Sequence, residues 1–326
     1  MKIYLISFVS AILLTIILGK ISIPLLKRLK AGQPILKYVE SHKNKSGTPT
    51  MGGLFFIPSA IIVYLCFGTF KKLSLVSLAI GLAFLVVGFL DDYLKIKYKE
   101  NQGLKAYQKI IFQLLISLIA GVFSYINKIT VFNLPFSKLS VDLGVFTVPI
   151  VALIFIAITN SVNLTDGLDG LSSSTSICYL FFLLLILFLQ LDIGLYDYLL
   201  GYEIKDLIIL IVSLIGSLLG FLIFNVSPAC VFMGDTGSLS LGGFIGVFTL
   251  FTSNGFLMPF LGVSFVISSI SVIIQVLVYK LTKKRVFLMA PFHHHLQMKG
   301  YSEAKVSFIY SLLTVIIGSL LVISYS

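Results

Sequence analysis

Carboxylates are scarce in this chain, and five of its 13 acidic residues fall in three short motifs. The motifs are the pair Asp91-Asp92, the string Asp166-Gly-Leu-Asp169, and Asp235 within Met-Gly-Asp-Thr-Gly, each at the end of an apolar run. A charged side chain at membrane depth costs about 2.5 to 3.5 kcal/mol, so such residues tend to be retained for ions, protons or substrates. The grouping predicts a metal or phosphate site at a membrane surface.

The pair Asp91-Asp92 closes the apolar run from residue 78 to residue 90, which places both carboxylates at the C-terminal end of a predicted helix. The helix macrodipole disfavours negative charge at that end, so two adjacent carboxylates call for a cation. An ordinary surface ion pair with Lys95, one turn further on, would meet this need without any function. Hard oxygen ligands suit Mg²⁺, and we favour a divalent metal or a general base next to one.

The other two motifs also have simpler structural interpretations. Asp166 or Asp169 would serve as the cap of the next helix, but a cap leaves the asparagines Asn160 and Asn163 of the same polar string unexplained. If this string is helical, the two aspartates share a face. Asp235 before Thr-Gly-Ser is a good helix cap as well. A helix N-terminus is also a phosphate seat, where an aspartate could hold a metal that the phosphate shares, and both interpretations stay open.

Two further strings are suited to anion binding. The consecutive histidines His293 to His295 precede the last apolar run. Zinc is one possible ligand, but adjacent side chains on an extended segment point to opposite faces, so phosphate recognition or proton handling is the better interpretation. The segment from Lys45 to Thr50, Lys-Ser-Gly-Thr-Pro-Thr, combines a lysine with hydroxyl and backbone donors, as an anion cradle does. The same segment is also typical of a plain turn.

The composition places these motifs in a polytopic membrane protein. The chain is 58% hydrophobic and 11% charged, with a mean hydropathy of +1.05, outside the range of soluble domains. Ten apolar runs approach the roughly 20 residues that a spanning helix needs. They cover residues 3–26, 51–69, 73–90, 107–126, 146–162, 174–191, 206–224, 238–252, 258–280 and 304–324. We predict an all-α fold in one domain, 1–326, with the first run retained as a helix, and not an outer-membrane barrel.

The basic residues predict the orientation in the membrane. Most of the 24 Lys and Arg residues lie in the first, third and ninth loops, so the odd-numbered loops are expected to be cytoplasmic. All three carboxylate motifs then meet at the cytoplasmic face, in a site formed by five loops, and both termini lie outside. On the outer side, alternation in residues 129–132 and 139–143 predicts a small β-hairpin.

The net charge of +11 fits this topology signal and an attraction to anionic lipid, and the basic loops could also collect an anionic substrate. Nucleic acid is excluded as a partner, because the basic residues lie close to the membrane ends without a domain that could present a groove. Cys66, Cys178 and Cys230 are odd in number and widely spaced, so we assign them no disulfide or metal role.

Taken together and in order, five strings resemble those of the phospho-N-acetylmuramoyl-pentapeptide transferases (the MraY family), the lipid I synthases of bacterial cell-wall assembly. The strings are Lys45 to Gly53, Asp91-Asp92, Asn163 to Gly170, Phe232 to Leu239 and Pro291 to His295. The resemblance covers the whole chain. The triple histidine and Thr-Pro-Thr-Met-Gly-Gly favour this branch over relatives that transfer N-acetylglucosamine phosphate. One departure is Gln297, where family members often have Glu.

The resemblance implies a Mg²⁺-dependent phosphoryl transfer from UDP-N-acetylmuramoyl-pentapeptide to undecaprenyl phosphate, with release of UMP. It also implies a homodimer in the bacterial cytoplasmic membrane. It assigns the metal to Asp235, the lipid phosphate to Asp91 as base or orienting group, with Asp92 as its partner, and a role in the reaction to His294. The residues that it assigns to substrate are Lys45, Thr50, Lys95, Lys109, Asn163, Asp166, Asp169, Asn225, Phe232, His293 and His295.

The resemblance leaves open whether an aspartate first forms a covalent phospho-enzyme or the lipid phosphate attacks directly. Two other functions are compatible with parts of the sequence. One is a UDP-N-acetylglucosamine:polyprenyl-phosphate sugar-phosphate transferase. The other is a cation-coupled secondary transporter, which the position of the acids at span ends on one face and the lack of a repeated motif between the halves disfavour.

Overall fold

The computed structural model describes residues 1–29, 47–98, 103–137, 139–196 and 198–325. Its helices are α1 (Lys2–Arg28), α2 (Gly53–Phe67), α3 (Lys72–Tyr98), α4 (Ala106–Ile126), α5 (Thr147–Thr165), α6 (Leu171–Asp192), α7 (Tyr198–Asn225), α8 (Gly234–Leu250), α9 (Met258–Leu261), α10 (Val263–Thr282), α11 (Phe292–Met298) and α12 (Glu303–Tyr325). The prediction of an all-α polytopic membrane chain is confirmed at this level.

Each of the ten predicted runs coincides with a helix, but not all of these helices have spanning length. Within the described ranges, eight helices are long and apolar enough to cross a membrane: α1, α3, α4, α5 with the turn before it, α6, α7, α10 and α12. The apolar helix α2 has 15 residues and α8 has 17. The predicted β-hairpin is confirmed, because β1 (Val131–Asn133) pairs antiparallel with β2 (Ser140–Asp142).

Helix α8 lies at the centre of the bundle and is buried along nearly its whole length. Its many glycines and serines let neighbouring helices approach at backbone distance, as small residues do in membrane proteins. The Ser240 hydroxyl donates to the Gly81 carbonyl of α3 at 2.9 Å. Further along α3, Gly88 lies so close to the Asp235 carbonyl that a Cβ atom at this position would overlap it. This close packing brings the acidic part of α3 next to the first turn of α8.

Helices α1 and α7 pack by the same means. The buried face of α1 presents a small residue every fourth position: Ser7, Ala11, Thr15 and Gly19. Opposite them, Gly216 and Gly220 of α7 lie against the α1 backbone at Phe8 and Ile12. The other face of α1 is a row of exposed aliphatic side chains, Leu13, Ile17, Ile21 and Leu25. Such a face suits contact with lipid.

At the end of the bundle opposite the aspartate motifs, two carboxylates of α7 hold the start of α3. Asp206 is 2% exposed and accepts hydrogen bonds from the Tyr64 hydroxyl (2.7 Å) and from the backbone N–H groups of Thr69 (2.6 Å) and Lys71 (2.9 Å). Glu203 accepts from the N–H of Leu73 at 2.7 Å. Because carboxylates are stabilised at helix N-termini, this contact fixes α3 to α7.

The substitution Asp206→Ala tests this anchor. Removing the carboxylate leaves a buried hydroxyl and two backbone N–H groups without their acceptor, and we expect a loss of about 3 kcal/mol in the free energy of unfolding. Thermal unfolding of the detergent-solubilised protein measures the effect. Asp192→Ala, at an exposed position near the end of α6, is the matched control and should leave the melting temperature unchanged. Equal melting temperatures for the two variants would contradict the assignment.

Candidate active site

Three carboxylates form the centre of the site. Oxygen atoms of Asp91 and Asp92 on α3 and of Asp235 on α8 all lie within 4.8 Å of one another. Asp91 and Asp92 are buried, whereas Asp235 is partly exposed. The prediction that the pair lies at the end of its helix is wrong, because α3 continues to Tyr98. The longer helix carries Lys95 into the site as well.

Two lysines neutralise most of this charge. The Lys95 Nζ lies 2.6 Å from Asp91 Oδ2 and 2.9 Å from Asp235 Oδ2. The Lys109 Nζ, from the first turn of α4, lies 2.8 Å from the same Asp235 oxygen. The Lys95 side chain is only 17% exposed and that of Lys109 16%. Lys95 is therefore not the ordinary surface partner of the simpler interpretation, since it bridges two carboxylates in a partly buried cluster.

Asp92 caps helix α8. Its carboxylate accepts hydrogen bonds from the backbone N–H of Asp235 (3.2 Å), from the backbone N–H of Thr236 (2.9 Å) and from the Thr236 hydroxyl (2.7 Å). The interpretation of Asp235 as the cap is wrong. Helix α8 already begins at Gly234, and no side chain of its own first residues makes a capping hydrogen bond. The Asp92 carboxylate also occupies the first amides at this N-terminus, and a phosphate seat there stays a prediction. Asp92 thus orients Asp235.

Asp235 points toward α5. The Asn163 side-chain amide donates to Asp235 Oδ1 at 2.7 Å and to the Ser238 hydroxyl at 2.8 Å. The backbone N–H of Leu104 donates to Asp91 Oδ1 at 2.9 Å. Carboxylate oxygens are the donors that Mg²⁺ prefers. Asp91, Asp92 and Asp235 are the one group of three or more potential metal ligands found in the described part of the chain, and their chemistry fits that ion.

The Thr-Pro-Thr-Met-Gly-Gly segment lies directly against this cluster. The Pro49 carbonyl accepts from the Phe232 N–H at 2.8 Å, and the Gly52 N–H donates to the Phe232 carbonyl at 2.9 Å. Gly234 has a φ of 73°, and a Cβ atom there would lie 2.6 Å from both Asp92 Oδ2 and the Thr50 hydroxyl oxygen. Thr50 is therefore buried beside Asp92, with no partner for its hydroxyl among the described residues. Lys45 lies outside the described residues.

The remaining nucleotide candidates lie around the turn between α5 and α6. The condition under which Asp166 and Asp169 would share a helical face is not met, because the chain turns between α5 and α6. The interpretation of either aspartate as the cap of α6 is wrong, because Gly170 is the N-cap residue and no side chain caps this helix. Asp166 is half-buried at the end of α5. Asp169 is buried, and its carboxylate accepts from the backbone N–H of Ala229 at 3.0 Å. This bond joins the turn to the segment that leads into α8.

Asn225 performs a similar structural task at the end of α7. Its amide donates to the Val231 carbonyl at 3.0 Å, and its oxygen accepts from the Ser173 hydroxyl at 2.9 Å. Phe232 follows on the same segment and is half-buried. The sequence-based assignment of these residues to the nucleotide stays a prediction.

The histidines lie on α11, so the expectation of an extended segment is wrong: the rings of His293 and His294 lie side by side, and His295 faces elsewhere. His293 is fully buried beside Gly167, and burial lowers the pKa of its imidazole well below the ordinary value. The His294 ring lies 4.4 Å from that of His293 and has its Nδ1 atom 3.2 Å from Gln297 Oε1. His295 Nδ1 accepts from the N–H of Leu288 at 3.2 Å. The rings of His293 and His294 thus lie beside Gly167 in the turn between α5 and α6, and His295 binds the backbone of the loop that precedes α11.

Several contacts were not predicted. The quoted string around Asp235 contains Thr236 and Ser238, but their roles as partners of Asp92 and Asn163 were not foreseen. Gln113 of α4 was also missed. It accepts a hydrogen bond from the Asn160 amide at 2.7 Å and so fixes α4 against α5 one turn beyond Lys109. A glutamine four residues after a lysine in an apolar helix is a signal that could have found it.

The neighbouring variants Asp92→Asn and Asp91→Asn test the two structural roles. Asp92→Asn removes one of the oxygens that cap α8, and we expect a loss of about 1 to 2 kcal/mol in the free energy of unfolding. Asp91→Asn relieves repulsion among three carboxylates and should change stability little. Thermal unfolding of both detergent-solubilised proteins measures the difference. Equal destabilisation by the two variants would contradict the capping role.

A family model and a family signature match the chain in the region of this cluster. A family model described as glycosyl transferase family 4 matches residues 74–253, and the phospho-N-acetylmuramoyl-pentapeptide-transferase signature 1 matches residues 45–57. These matches contain all three aspartates of the cluster and the Thr-Pro-Thr-Met-Gly-Gly segment.

Proteins named phospho-N-acetylmuramoyl-pentapeptide-transferase are similar over nearly their whole lengths. That of Clostridium botulinum (strain Alaska E43) is 42% identical over 308 residues, covering 93% of this chain and 90% of the relative. That of Clostridium perfringens (strain 13) is 43% identical over 302 residues, 92% of each chain. That of Helicobacter hepaticus is 43% identical over 294 residues, 86% of this chain and 82% of the relative. The chain therefore belongs to the phospho-N-acetylmuramoyl-pentapeptide transferase family.

Proposed function

We propose that this protein transfers phospho-N-acetylmuramoyl-pentapeptide from UDP-N-acetylmuramoyl-pentapeptide to undecaprenyl phosphate, forming lipid I and releasing UMP in peptidoglycan biosynthesis. Family membership supports the reaction. The structural observation that carries it is the cluster of three aspartates and two lysines at one end of a bundle of membrane-length helices. Two anionic substrates must meet there, and cationic groups offset their repulsion.

The positions of the three aspartates and two lysines support a different role for each of them in the proposed reaction. Asp235 and Asp91 present oxygens for Mg²⁺, and when bound this ion supplies a Lewis acid for the phosphoryl oxygens and the departing UMP. Lys95 and Lys109 would neutralise the diphosphate. Asp91 is the residue that we assign to the lipid phosphate, as base or orienting group. Asp92 would act by capping α8 and so positioning Asp235. The role expected from the sequence was different, namely a direct partner of Asp91 at the lipid phosphate.

We assign the nucleotide end of the substrate to the turn between α5 and α6. The groups proposed for it are Lys45, which lies outside the described residues, and Thr50, Asn163, Asp166, Asp169, Asn225, Phe232, His293, His294 and His295. A half-buried Phe232 could stack on uracil. The close approach of two histidine rings to Gly167 supports placing a phosphate or sugar hydroxyl between the turn and α11.

The proposed setting is the bacterial cytoplasmic membrane, with the site on the cytoplasmic face. Basic residues near the aspartate end of the bundle support this orientation by the positive-inside rule. The full arrangement would have ten spans, with α2 and α8 as short ones, both termini outside, and the β-hairpin on the outer side. A homodimer is part of the proposal through the family resemblance alone.

The reaction is tested with detergent-solubilised protein, UDP-N-acetylmuramoyl-pentapeptide, a polyprenyl phosphate and Mg²⁺. We expect UMP release that stops when a chelator is added and returns with excess Mg²⁺, because the two lysines alone, paired with carboxylates, cannot offset the negative charge of both phosphate substrates. The control replaces the donor by UDP-N-acetylglucosamine. UMP released only from that second donor would favour the alternative sugar-phosphate transferase and overturn the proposal.

Asp235→Asn separates a role in the reaction from a role in the fold. The amide keeps the shape and the contact with α5 but loses the negative charge that a divalent cation requires, so we expect UMP release to fall at least about 100-fold. The thermal unfolding temperature should stay close to that of the unchanged protein. Retained turnover in the folded variant would show that the charge of Asp235 is not needed.

A further inference from the structure

The start of α12 is attached to the turn between α5 and α6, which comprises residues 166–170. Glu303 Oε2 accepts a hydrogen bond from the backbone N–H of Asp169 at 3.0 Å. One helical turn further on, the Ser307 hydroxyl donates to the Asp169 carbonyl at 3.3 Å. Both backbone polar groups of Asp169 are therefore bound by side chains of a helix that begins 134 residues later in the chain.

The side chain of Asp169 is bound by a third part of the protein. Its carboxylate accepts from the backbone N–H of Ala229 at 3.0 Å, and the residue is only 3% exposed. The segment that contains Ala229 continues through Phe232 into α8. Asp169 thus connects α12, the turn 166–170 and the segment that precedes α8, and its conformation depends on contacts with both of its neighbours.

Apolar packing supports the same attachment. Leu168 and Leu171, on either side of Asp169, form a small buried cluster with Val306 and Tyr310 of α12. This cluster is distinct from the large core of the bundle. A region with few buried apolar contacts of its own has low local stability, so individual hydrogen bonds contribute a large part of what keeps the turn in place.

A carboxylate is suited to the position of Glu303. The residue lies in the first turn of α12, where the helix macrodipole stabilises a negative charge. A hydrogen bond from a backbone N–H to an ionised carboxylate is stronger than one between neutral groups. The bond between Glu303 and the Asp169 N–H is therefore the stronger of the two that α12 makes to this residue, and that of Ser307 is the weaker.

The turn packs closely against two histidine rings, so its exact position matters. A Cβ atom on Gly167 would overlap the His293 Nε2 atom and would lie 3.1 Å from the His294 Nε2 atom. Both rings belong to α11, which directly precedes α12. A shift of the turn by part of an ångström would therefore change its contacts with both rings.

We propose that Glu303 is a positioning residue for nucleotide binding, because it binds the backbone of Asp169 and thereby fixes the turn 166–170 against His293 and His294. The identity of the ligand rests on the proposed function, whereas the contact between Glu303 and the turn does not. Glu303 makes no contact with substrate in this scheme. Its loss should weaken binding of the UDP-linked donor and leave the chemical step nearly unchanged.

Hydrogen–deuterium exchange of the full-length protein in detergent, read by mass spectrometry without nucleotide, tests the contact with the turn. Glu303→Met keeps the length of the side chain but removes the acceptor, and we expect the amides of residues 166–171 to exchange at least about tenfold faster. Glu303→Gln keeps an acceptor oxygen and should stay within about threefold of the unchanged protein. Ser307→Ala removes the weaker bond and should act in the same direction, so the test does not depend on the folding of one variant.

UDP binding and steady-state kinetics test the consequence for substrate. In Glu303→Met, the Kd of UDP and the KM for UDP-N-acetylmuramoyl-pentapeptide should rise at least about fivefold, because binding must then also order the turn. The kcat and the KM for polyprenyl phosphate should stay within about threefold of the unchanged protein. Glu303→Gln should restore most of the UDP affinity. A merely structural role would lower the melting temperature and the active fraction without this selective change in KM.

Two controls match these variants. Lys305→Met changes an exposed side chain in the same turn of α12, whose ammonium group lies over the Tyr301 ring. Ser319→Ala removes a hydroxyl that donates to the Val315 carbonyl within α12 itself, and it is the control for Ser307→Ala. Both controls should leave the exchange of the turn amides and the Kd of UDP within about twofold of the unchanged protein.

The outcomes separate this inference from the proposed function. Unchanged exchange of the turn amides in folded Glu303→Met and Ser307→Ala would overturn the inference. Faster exchange with an unaltered Kd for UDP would overturn it as well. If the unchanged protein neither binds UDP nor releases UMP, the proposed function fails, while the exchange measurement still decides whether Glu303 fixes the turn.

Discussion

The site depends on one contact, the carboxylate of Asp92 on the first turn of α8. A helix N-terminus buried in a bundle has several N–H groups without partners, and leaving them so would cost free energy in a low-dielectric interior. Asp92 supplies the acceptor from a neighbouring helix. The contact needs α3 and α8 to touch backbone to backbone, which Gly88 allows, and Gly234 leaves room for the Asp92 carboxylate. Once it forms, Asp91 and Asp235 are neighbours, and their repulsion must be answered by cations.

Lys95 and Lys109 supply the compensating positive charge within the protein itself. Three carboxylates brought within a few ångströms could not all stay ionised in isolation. Lys95 reaches the cluster because α3 continues past the aspartates, and Lys109 reaches it because the Gln113–Asn160 pair fixes α4 against α5. The same charges that stabilise the folded cluster are of the right sign and position to meet a diphosphate. Stability and substrate binding thus draw on the same two side chains.

Much of the fold could be predicted from the sequence because lipid leaves few choices. The apolar runs fixed the positions of the long helices, and alternation in a short polar segment predicted the hairpin. Their lengths were less certain: the run ending at Leu90 gave no sign that α3 continues through two aspartates to Tyr98. The reason is that hydropathy ends an apolar run at the first charged residue. In the structure, Lys95 and the Leu104 N–H stabilise the Asp91 carboxylate, and Asp235 stabilises Lys95, so the helix continues.

The site was predictable as a set of residue types but not as a set of contacts. Grouped aspartates indicated a cation site, and Asp91, Asp92 and Asp235 do meet. Which aspartate caps α8 could not be read from the string around Asp235, because the cap comes from a residue 143 positions earlier. The histidines were placed on an extended segment because three successive polar residues after a proline carry no helical period. Tertiary contacts with Gly167 and Leu288 decide their directions instead.

Helix α3 is held at both extremities by the same chemistry, Asp206 and Glu203 of α7 at its start and the first turn of α8 near its finish. Because α3 is held near both ends, it resists sliding along its axis and turning about it. The two aspartates that it carries therefore keep a fixed position relative to α7 and α8. In the proposed reaction, a lipid phosphate would meet carboxylates whose position the helix bundle has already set.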